Sequence, residues 1–304
     1  MKKYLITHTD LDGVSPIILL GLTNESFDYK CVDIKDLTNL MEELKATDLS
    51  LYDEIYFTDL SLTQEMYDVL LSLNKPIKVF DHHETHLFAN KYEFATVKVD
   101  LNNKKTCGTE LFYEYLKEKY PELNKDNIKT YVEYVRELDT FAFTSDIPKQ
   151  IDMIKESMDR YDFIKSMIRR LKKDKPFTFT TFEKRYIKLR TEELDRYIKK
   201  KEKGMQKVLI NGFRCGVIFA ETNKSFIGDY ISQKYDDIDL VILIDASSRI
   251  SYRTNKENIN VADFASNFGG GGHKCASGSK FDNENRINIL KDYFGDVKEL
   301  EENC

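Results

Sequence analysis

The sequence predicts an α/β protein: an N-terminal domain on a mostly parallel five-stranded sheet flanked by helices, a helical connector, and a smaller C-terminal α+β domain. Three observations carry this. Short apolar runs alternate with amphipathic stretches up to about residue 140, the pattern turns wholly helical from Lys125 to about Lys203, and strand-like runs return after Gly204. The expected boundaries are 1–145 for the first domain, 146–205 for the connector and 206–304 for the last.

Taken in order, Tyr4-Leu5-Ile6, Ile55-Tyr56-Phe57 and Ile77-Lys78-Val79-Phe80 read as strands. Gly13–Leu22, Leu37–Lys45, Gln64–Leu73 and Gly108–Tyr120 read as helices between and after them. The helical stretch is broken at Pro148 and at Lys175-Pro176, and Phe182–Lys203 forms one long charged segment ending at Gly204. Further strands are expected at Val208-Leu209-Ile210, Cys215–Ala220, Leu240–Ile244 and Ile250-Ser251-Tyr252-Arg253, with helices at Ser225–Tyr235 and Val261–Asn267. The acidic run Glu299–Glu302 reads as a frayed terminus, and there is no internal repeat or low-complexity tract.

Composition bounds the function. A chain of 304 residues with 41% hydrophobic content can bury a large core, and its length favours two domains. No stretch approaches the roughly 20 apolar residues that span a bilayer. The start, Met1 to Ile6, resembles a secretory signal, but charge between Thr7 and Gly13 interrupts it, so a cytoplasmic location is expected. Five scattered cysteines, Cys31, Cys107, Cys215, Cys275 and Cys304, form no C-x-x-C pair and argue against a disulfide framework or a zinc knuckle. A net charge of −6 disfavours coating long nucleic acid, and no long duplex partner or membrane is expected. Locally, Arg160, Lys165, Arg169, Arg170, Lys172, Lys173 and Lys175, followed by Lys199-Lys200-Lys201, are either a solvated helix face or a basic wall beside an anionic substrate.

The chemistry-bearing residues are His8, Asp10 and Asp12, then Asp59, then Asp81-His82-His83, then Asp139. The first three groups each follow a predicted strand, and residues just after the strands of an open α/β sheet meet in the crevice at their carboxyl ends. His8, Asp10 and Asp12 are expected to alternate on an extended segment. Carboxylates with added imidazole favour Mn²⁺ or Fe²⁺ over Mg²⁺ or Ca²⁺. There are more ligands than one octahedral ion needs, so two ions about 3.5–4 Å apart with a shared carboxylate are expected. Of the five histidines, His86 alone lies in no motif. A second constellation, Gly269-Gly270-Gly271-Gly272-His273-Lys274, is expected to offer successive N–H groups as a phosphate nest, with Arg253 as a second anion contact.

The ordered set resembles the DHH/DHHA1 phosphoesterase superfamily. His8-Thr9-Asp10-Leu11-Asp12-Gly13, Thr58-Asp59-Leu60-Ser61, Asp81-His82-His83-Glu84 and Leu138-Asp139-Thr140-Phe141 match its first four motifs. Ser251-Tyr252-Arg253 and Gly269–Gly278 match those of the DHHA1 part. The spelling of the first motif and the compact length are most similar to nano-RNases of the oligoribonuclease B type. The resemblance implies a hydrolase with two Mn²⁺ per chain, other divalent metals such as Mg²⁺ being allowed. One ion would be held by His8, Asp10 and Asp59 and the other by Asp12, Asp59, His82 and Asp139. Asp81 would orient His82, and His83 would face the scissile phosphate or assist the departing oxygen. Arg253, Gly270, Gly271, Gly272 and His273 would grip a terminal phosphate or nucleotide. The implied substrates are short single-stranded RNA or dinucleotides, hydrolysed to nucleoside monophosphates, and a homodimer is an allowed assembly. Cyclic or linear dinucleotides, 3′,5′-bisphosphate nucleotides and pyrophosphate are competing substrates of related proteins, and a non-catalytic nucleotide sensor is the alternative of a different class.

Overall fold

A computed structural model of the chain describes residues 2–281, with Asn288 and Asp292 beyond them. The expected tail Glu299–Glu302 and Cys304 lie outside the described residues. The chain divides into two compact units, Met1–Ile187 and Lys188–Cys304.

The first unit runs β1 (Lys2–Thr7), α1 (Leu11–Leu22), β2 (Ser26–Cys31), α2 (Leu37–Ala46), β3 (Glu54–Thr58), α3 (Gln64–Ser72), β4 (Ile77–Asp81) and β5 (Ala95–Val97). A small hairpin follows, β6 (Asp100–Leu101) and β7 (Lys104–Lys105), and then the helices α4 (Gly108–Lys119), α5 (Asp126–Asp139), α6 (Ile147–Glu156), α7 (Arg160–Leu171) and α8 (Thr181–Lys203), the last of which passes into the second unit. The sheet order is β2-β1-β3-β4-β5 with every pairing parallel. The chain therefore reverses its direction of winding between β1 and β3, and ligands of such sheets bind outside the carboxyl ends at that switch point.

Strand alternation explains why the sheet is covered on both faces. Leu5, Tyr56 and Phe80 join one core with α1, α4, α5 and α7, while their neighbours Ile6, Phe57 and Val79 join a second core with α2 and α3. A parallel strand buried on both faces reads as a continuous apolar run, which is how the three central strands were legible. β2 and β5 carry no such apolar run. They are edge strands: β2 is Ser-Phe-Asp-Tyr-Lys-Cys with no fully buried residue, and β5 is three residues long.

The second unit holds β8 (Gln206–Ile210), β9 (Phe213–Phe219), α9 (Lys224–Lys234), β10 (Leu240–Ile244), β11 (Arg249–Arg253), α10 (Val261–Ser266), β12 (Gly271–Gly272) and β13 (Ala276–Lys280). Its sheet runs β12-β13-β11-β10-β9-β8, with β9 and β10 parallel and the other pairs antiparallel, an α+β arrangement as expected. No helix among the described residues is long and apolar enough to cross a membrane, and Cys31, Cys107, Cys215 and Cys275 are free thiols.

The turn from β1 into α1 is where the sequence most tightly determines the backbone. Asp10 caps α1 by accepting the Gly13 N–H at 2.8 Å, and the Thr7 hydroxyl donates to the Gly13 carbonyl at 2.6 Å. A side chain at position 13 would put its Cβ 2.3 Å from the His8 carbonyl oxygen, which is backbone and cannot step aside. Gly13→Ala is expected to destabilise the fold by about 1–3 kcal/mol or more, the usual penalty for overpacking; urea unfolding checks this, with Gly21→Ala, where only the Ile168 side chain must move, as the milder comparison.

Candidate active site

The three strands deliver their terminal residues to one edge, and hydroxyls lock the strand ends together. The Thr58 hydroxyl donates to the Thr7 hydroxyl at 2.7 Å, one residue before Asp59 and His8 respectively. Asp59 itself adopts φ +53°, in the left-handed region, and is 5% exposed. Asp and Asn tolerate that region better than other non-glycine residues, yet it still costs on the order of 1 kcal/mol or more. The Asp59 N–H donates to the Phe80 carbonyl at 2.9 Å, which ties the turn to β4.

Two donor sets meet at Asp59. His8 Nδ1 lies 3.0 Å from Asp10 Oδ2 and 3.5 Å from Asp59 Oδ2. His82 Nε2 lies 3.4 Å from Asp59 Oδ1 and 3.8 Å from Asp12 Oδ2, and its Nδ1 lies 3.5 Å from Asp139 Oδ2. His8, Asp10 and Asp59 thus form one group and Asp12, His82 and Asp139 another, the ligand atoms within each being no more than 4.8 Å apart. Asp59 Oδ2 and His82 Nε2 are buried without a hydrogen-bond partner among the described residues. Such orphaned atoms beside clustered carboxylates are what a bound cation would satisfy, so the donor set fits the expected divalent metal.

The expected extended spacing of His8, Asp10 and Asp12 is corrected by the structure. Asp10 is the N-cap of α1 and Asp12 lies in its first turn, because Leu11 already begins the helix. Asp12 reaches the site from the helix and is held there by the start of α4. Its two oxygens accept the Gly108 N–H at 2.7 Å and the Thr109 N–H at 2.8 Å. Pro16 lacks the N–H that would otherwise bond the Asp12 carbonyl, and the Thr109 hydroxyl takes that carbonyl at 2.6 Å instead. A Cβ at position 108 would come within 2.9 Å of Asp59 Cβ, so this glycine allows two site carboxylates to approach the helix start.

The expected support of His82 by Asp81 is also corrected. The buried Asp81 carboxylate lies 2.6 Å from His83 Nδ1 and 3.1 Å from His86 Nδ1, and it touches His82 only by accepting its backbone N–H at 2.8 Å. His86, which belonged to no motif, is brought in by the 3₁₀ turn Glu84–Lys91, where its N–H donates to the His83 carbonyl at 3.0 Å. The three-residue spacing from His83 was the available signal.

Burial and charge set the protonation of the cluster. Burial, together with the charges of Asp10 and Asp12, pushes the Asp59 carboxyl up to about 6. Burial likewise raises Asp139 against the opposing charge of His82, with Asp12, Asp59 and Asp10 adding to the rise. For His82 and His8 burial disfavours the imidazolium, but the surrounding aspartates overcome it and raise both to about 10. Burial and neighbouring negative charge thus favour protonated carboxyls at Asp59 and Asp139, and the aspartates favour protonated imidazoles at His8 and His82, whereas Asp10, against its burial, is lowered to about 2 by its hydrogen bonds with His8 and the Gly13 N–H. Burial also opposes the His83 imidazolium, and its hydrogen bond to the Asp81 carboxylate reverses that, raising its pKa.

In the second unit Arg253 is desolvated, which lowers its pKa. It donates to the carbonyls of Tyr252 at 2.9 Å and Ser277 at 3.3 Å and to Ser225 Oγ at 3.2 Å. None of its hydrogen-bond partners among the described residues is a carboxylate. Gly228 makes room for it, since a Cβ there would lie 2.6 Å from Arg253 Cγ. The glycine run is not the expected nest of successive N–H groups. Gly269, Gly270 and His273 give their N–H groups to the carbonyls of Ser266, Ala265 and Ala276, and Gly271-Gly272 pairs with β13. Antiparallel pairing there absorbs the donors that a nest would present, although Gly269 and Gly272 do adopt positive φ.

No family model matches the chain. It is similar to oligoribonuclease NrnB of Bacillus subtilis, with 28% identity over 303 residues that cover 92% of this chain and 73% of that protein. Two solved structures share the fold. The DHH domain of a member of a family of ribosomal proteins has 17% identity and a TM-score of 0.60, over 95% of this chain and 85% of that one. The pGpG-specific phosphodiesterase PggH of Vibrio cholerae has 15% identity and a TM-score of 0.58, over 95% of this chain and 97% of that one. By its ordered motifs and this relative, the chain is similar to members of the DHH/DHHA1 phosphoesterase superfamily, and it shares the fold of a solved DHH domain.

Proposed function

We propose that the chain is a Mn²⁺-dependent phosphodiesterase that hydrolyses short RNA oligonucleotides to nucleoside monophosphates in the cytoplasm. The observation that carries this reading is the meeting of the two donor sets at buried Asp59, between His8 and His82. His8, Asp10 and Asp59 would hold one ion, and Asp12, Asp59, His82 and Asp139 the other. Two divalent ions there would supply positive charge against the phosphoryl oxygens and acidify water.

The protein's own groups supply the rest. Asp81 holds His83 in orientation and favours its protonated form, which suits His83 to give a proton to the departing ribose oxygen. Arg253 is desolvated and bonded only to neutral groups among the described residues, which suits it to a terminal phosphate, with Gly271 and Gly272 in β12 of the same sheet and Gly270 and His273 flanking them. The choice of short RNA rests on the likeness to an oligoribonuclease and on the acidic balance of the chain, which disfavours a long strand. The deciding experiment compares 5′-phosphorylated RNA dimers to pentamers, matching DNA, pGpG, cyclic di-AMP and pyrophosphate with Mn²⁺ and after chelation. Monophosphate release from the short RNAs, lost on chelation, is expected; faster turnover of a cyclic dinucleotide would overturn the substrate assignment.

Asp59→Asn should abolish turnover and sharply reduce bound metal measured by elemental analysis, because one carboxylate serves both donor sets. Arg253→Ala should raise KM by about tenfold or more, the scale of a lost charge-assisted contact, with metal content unchanged. In the metal-free protein, thermal stability should fall as pH rises from about 5 to 9. Asp59 binds its proton more tightly folded, at about 6, than unfolded, and that gain vanishes above this pH. His8 and His82 act in the same direction, since their raised values give stability that is lost towards about 10. Added Mn²⁺ should flatten or reverse this slope, because metal ligands bind deprotonated; calorimetric scans with chelator and with Mn²⁺ read both.

A further inference from the structure

The turn that follows Asp139 carries an aromatic pair whose placement folding does not explain. α5 ends in a motif in which the Ala142 N–H bonds the Glu137 carbonyl at 3.1 Å and the Phe141 N–H approaches the Leu138 carbonyl at 3.3 Å. The residue between helix and exit in this motif is left-handed and is usually glycine. Here it is Phe141, at φ +54° and 45% exposed. A bulky side chain in that region is strained, and an exposed ring gains little burial in return. The turn is nevertheless anchored, because Thr144 donates to the buried Glu137 carboxylate through its hydroxyl at 2.6 Å and its N–H at 3.1 Å. The Phe141 ring stands edge-on to Phe143, with centroids 5.4 Å apart, and Lys149 Nζ lies 4.2 Å from the centre of the Phe143 ring. Two aromatics and a cation, fixed two to ten residues beyond a metal-site aspartate, match the composition of surfaces that bind single-stranded nucleic acid by stacking a base and drawing in a phosphate.

We propose that Phe141, backed by Phe143, is the stacking platform for one nucleobase of the substrate. This rests on the short-RNA reading above and assigns the base contact, which the metal site and Arg253 do not provide. Strain at position 141 is retained because glycine, the relaxed choice, has no ring.

The test uses the full chain with Mn²⁺ and three ligands: the 5′-phosphorylated dinucleotide pApA and two analogues, each lacking one of its bases. The unaltered protein should prefer pApA over one of the analogues by about tenfold in kcat/KM, the scale of one base–aromatic stack. Phe141→Gly should bring that ratio towards one, chiefly through KM, while Phe141→Tyr keeps it. Phe141→Gly should also raise the thermal midpoint by a few degrees, so that its loss of preference is not damage to the fold. An unchanged ratio, or a lower midpoint, would overturn the proposal. Binding decides the matter separately from turnover. The chain has no tryptophan, so Phe141→Trp is a unique fluorophore. A quench that requires one of the two bases supports stacking even if the dinucleotide is not hydrolysed, which would instead sink the phosphodiesterase reading. Equal quenching by all three ligands, or none, overturns the stack.

Discussion

Asp59 is buried at the end of β3 in a backbone conformation that few residues tolerate, with one carboxylate oxygen towards His8 and the other towards His82. Removing this carboxylate would leave both imidazoles among carboxylates that no longer share a centre. Keeping it requires the chain to bury several aspartates close together where like charges repel, and the raised values of Asp59 and Asp139 record that burial first and the repulsion with it. The surrounding structure can be understood as what holds this arrangement in place: threonine pairing between two strand ends, a glycine that lets a helix start approach, and N–H groups that fix Asp12.

The strand order supplies the location. Because β1 and β3 are neighbours while the chain winds away from them in opposite directions, the helices leave a gap over their carboxyl ends. Each donor group arrives from a different element: His8 from the end of β1, Asp12 from α1, Asp59 and His82 from after β3 and β4. Each of these donors lies within a strand or helix or one residue beyond it, which favours a preorganised site. The second unit offers an arginine with no acidic hydrogen-bond partner among the described residues, an economical way to keep a cation available to an anionic ligand.

Much of this was legible in the sequence, and the exceptions have physical reasons. The central strands announce themselves because both of their faces are buried. The edge strands β2 and β5 do not, since one is largely polar and the other very short. The grouping of His8, Asp10 and Asp59, and of Asp12, His82 and Asp139, is what the family resemblance implies; the convergence of residues just after strands reaches only His8, Asp59 and His82, because Asp12 and Asp139 stand on helices. The helical setting of Asp12 was missed because a three-residue D-x-D spacing fits an extended segment as well as a cap and first turn; only the Asp10–Gly13 hydrogen bond decides it. The contacts of Asp81 with His83 and His86 depend on a 3₁₀ turn whose direction no periodicity reveals. The glycine run looked like an anion nest because composition says which φ values are available, but not which carbonyls already occupy the N–H groups.

Asp139 arrives from the end of α5, a helix of the layer that packs on the sheet, rather than from just beyond a strand as His8, Asp59 and His82 do. An ion held by Asp139 and His82 would therefore staple that helical layer to the sheet edge. Opening of α5, which ends at this residue, would release a ligand before any strand separates, so the site would empty at the first local loosening of the helical layer. Metal occupancy in such a molecule measures the integrity of the helix packing as much as the chemistry of the centre.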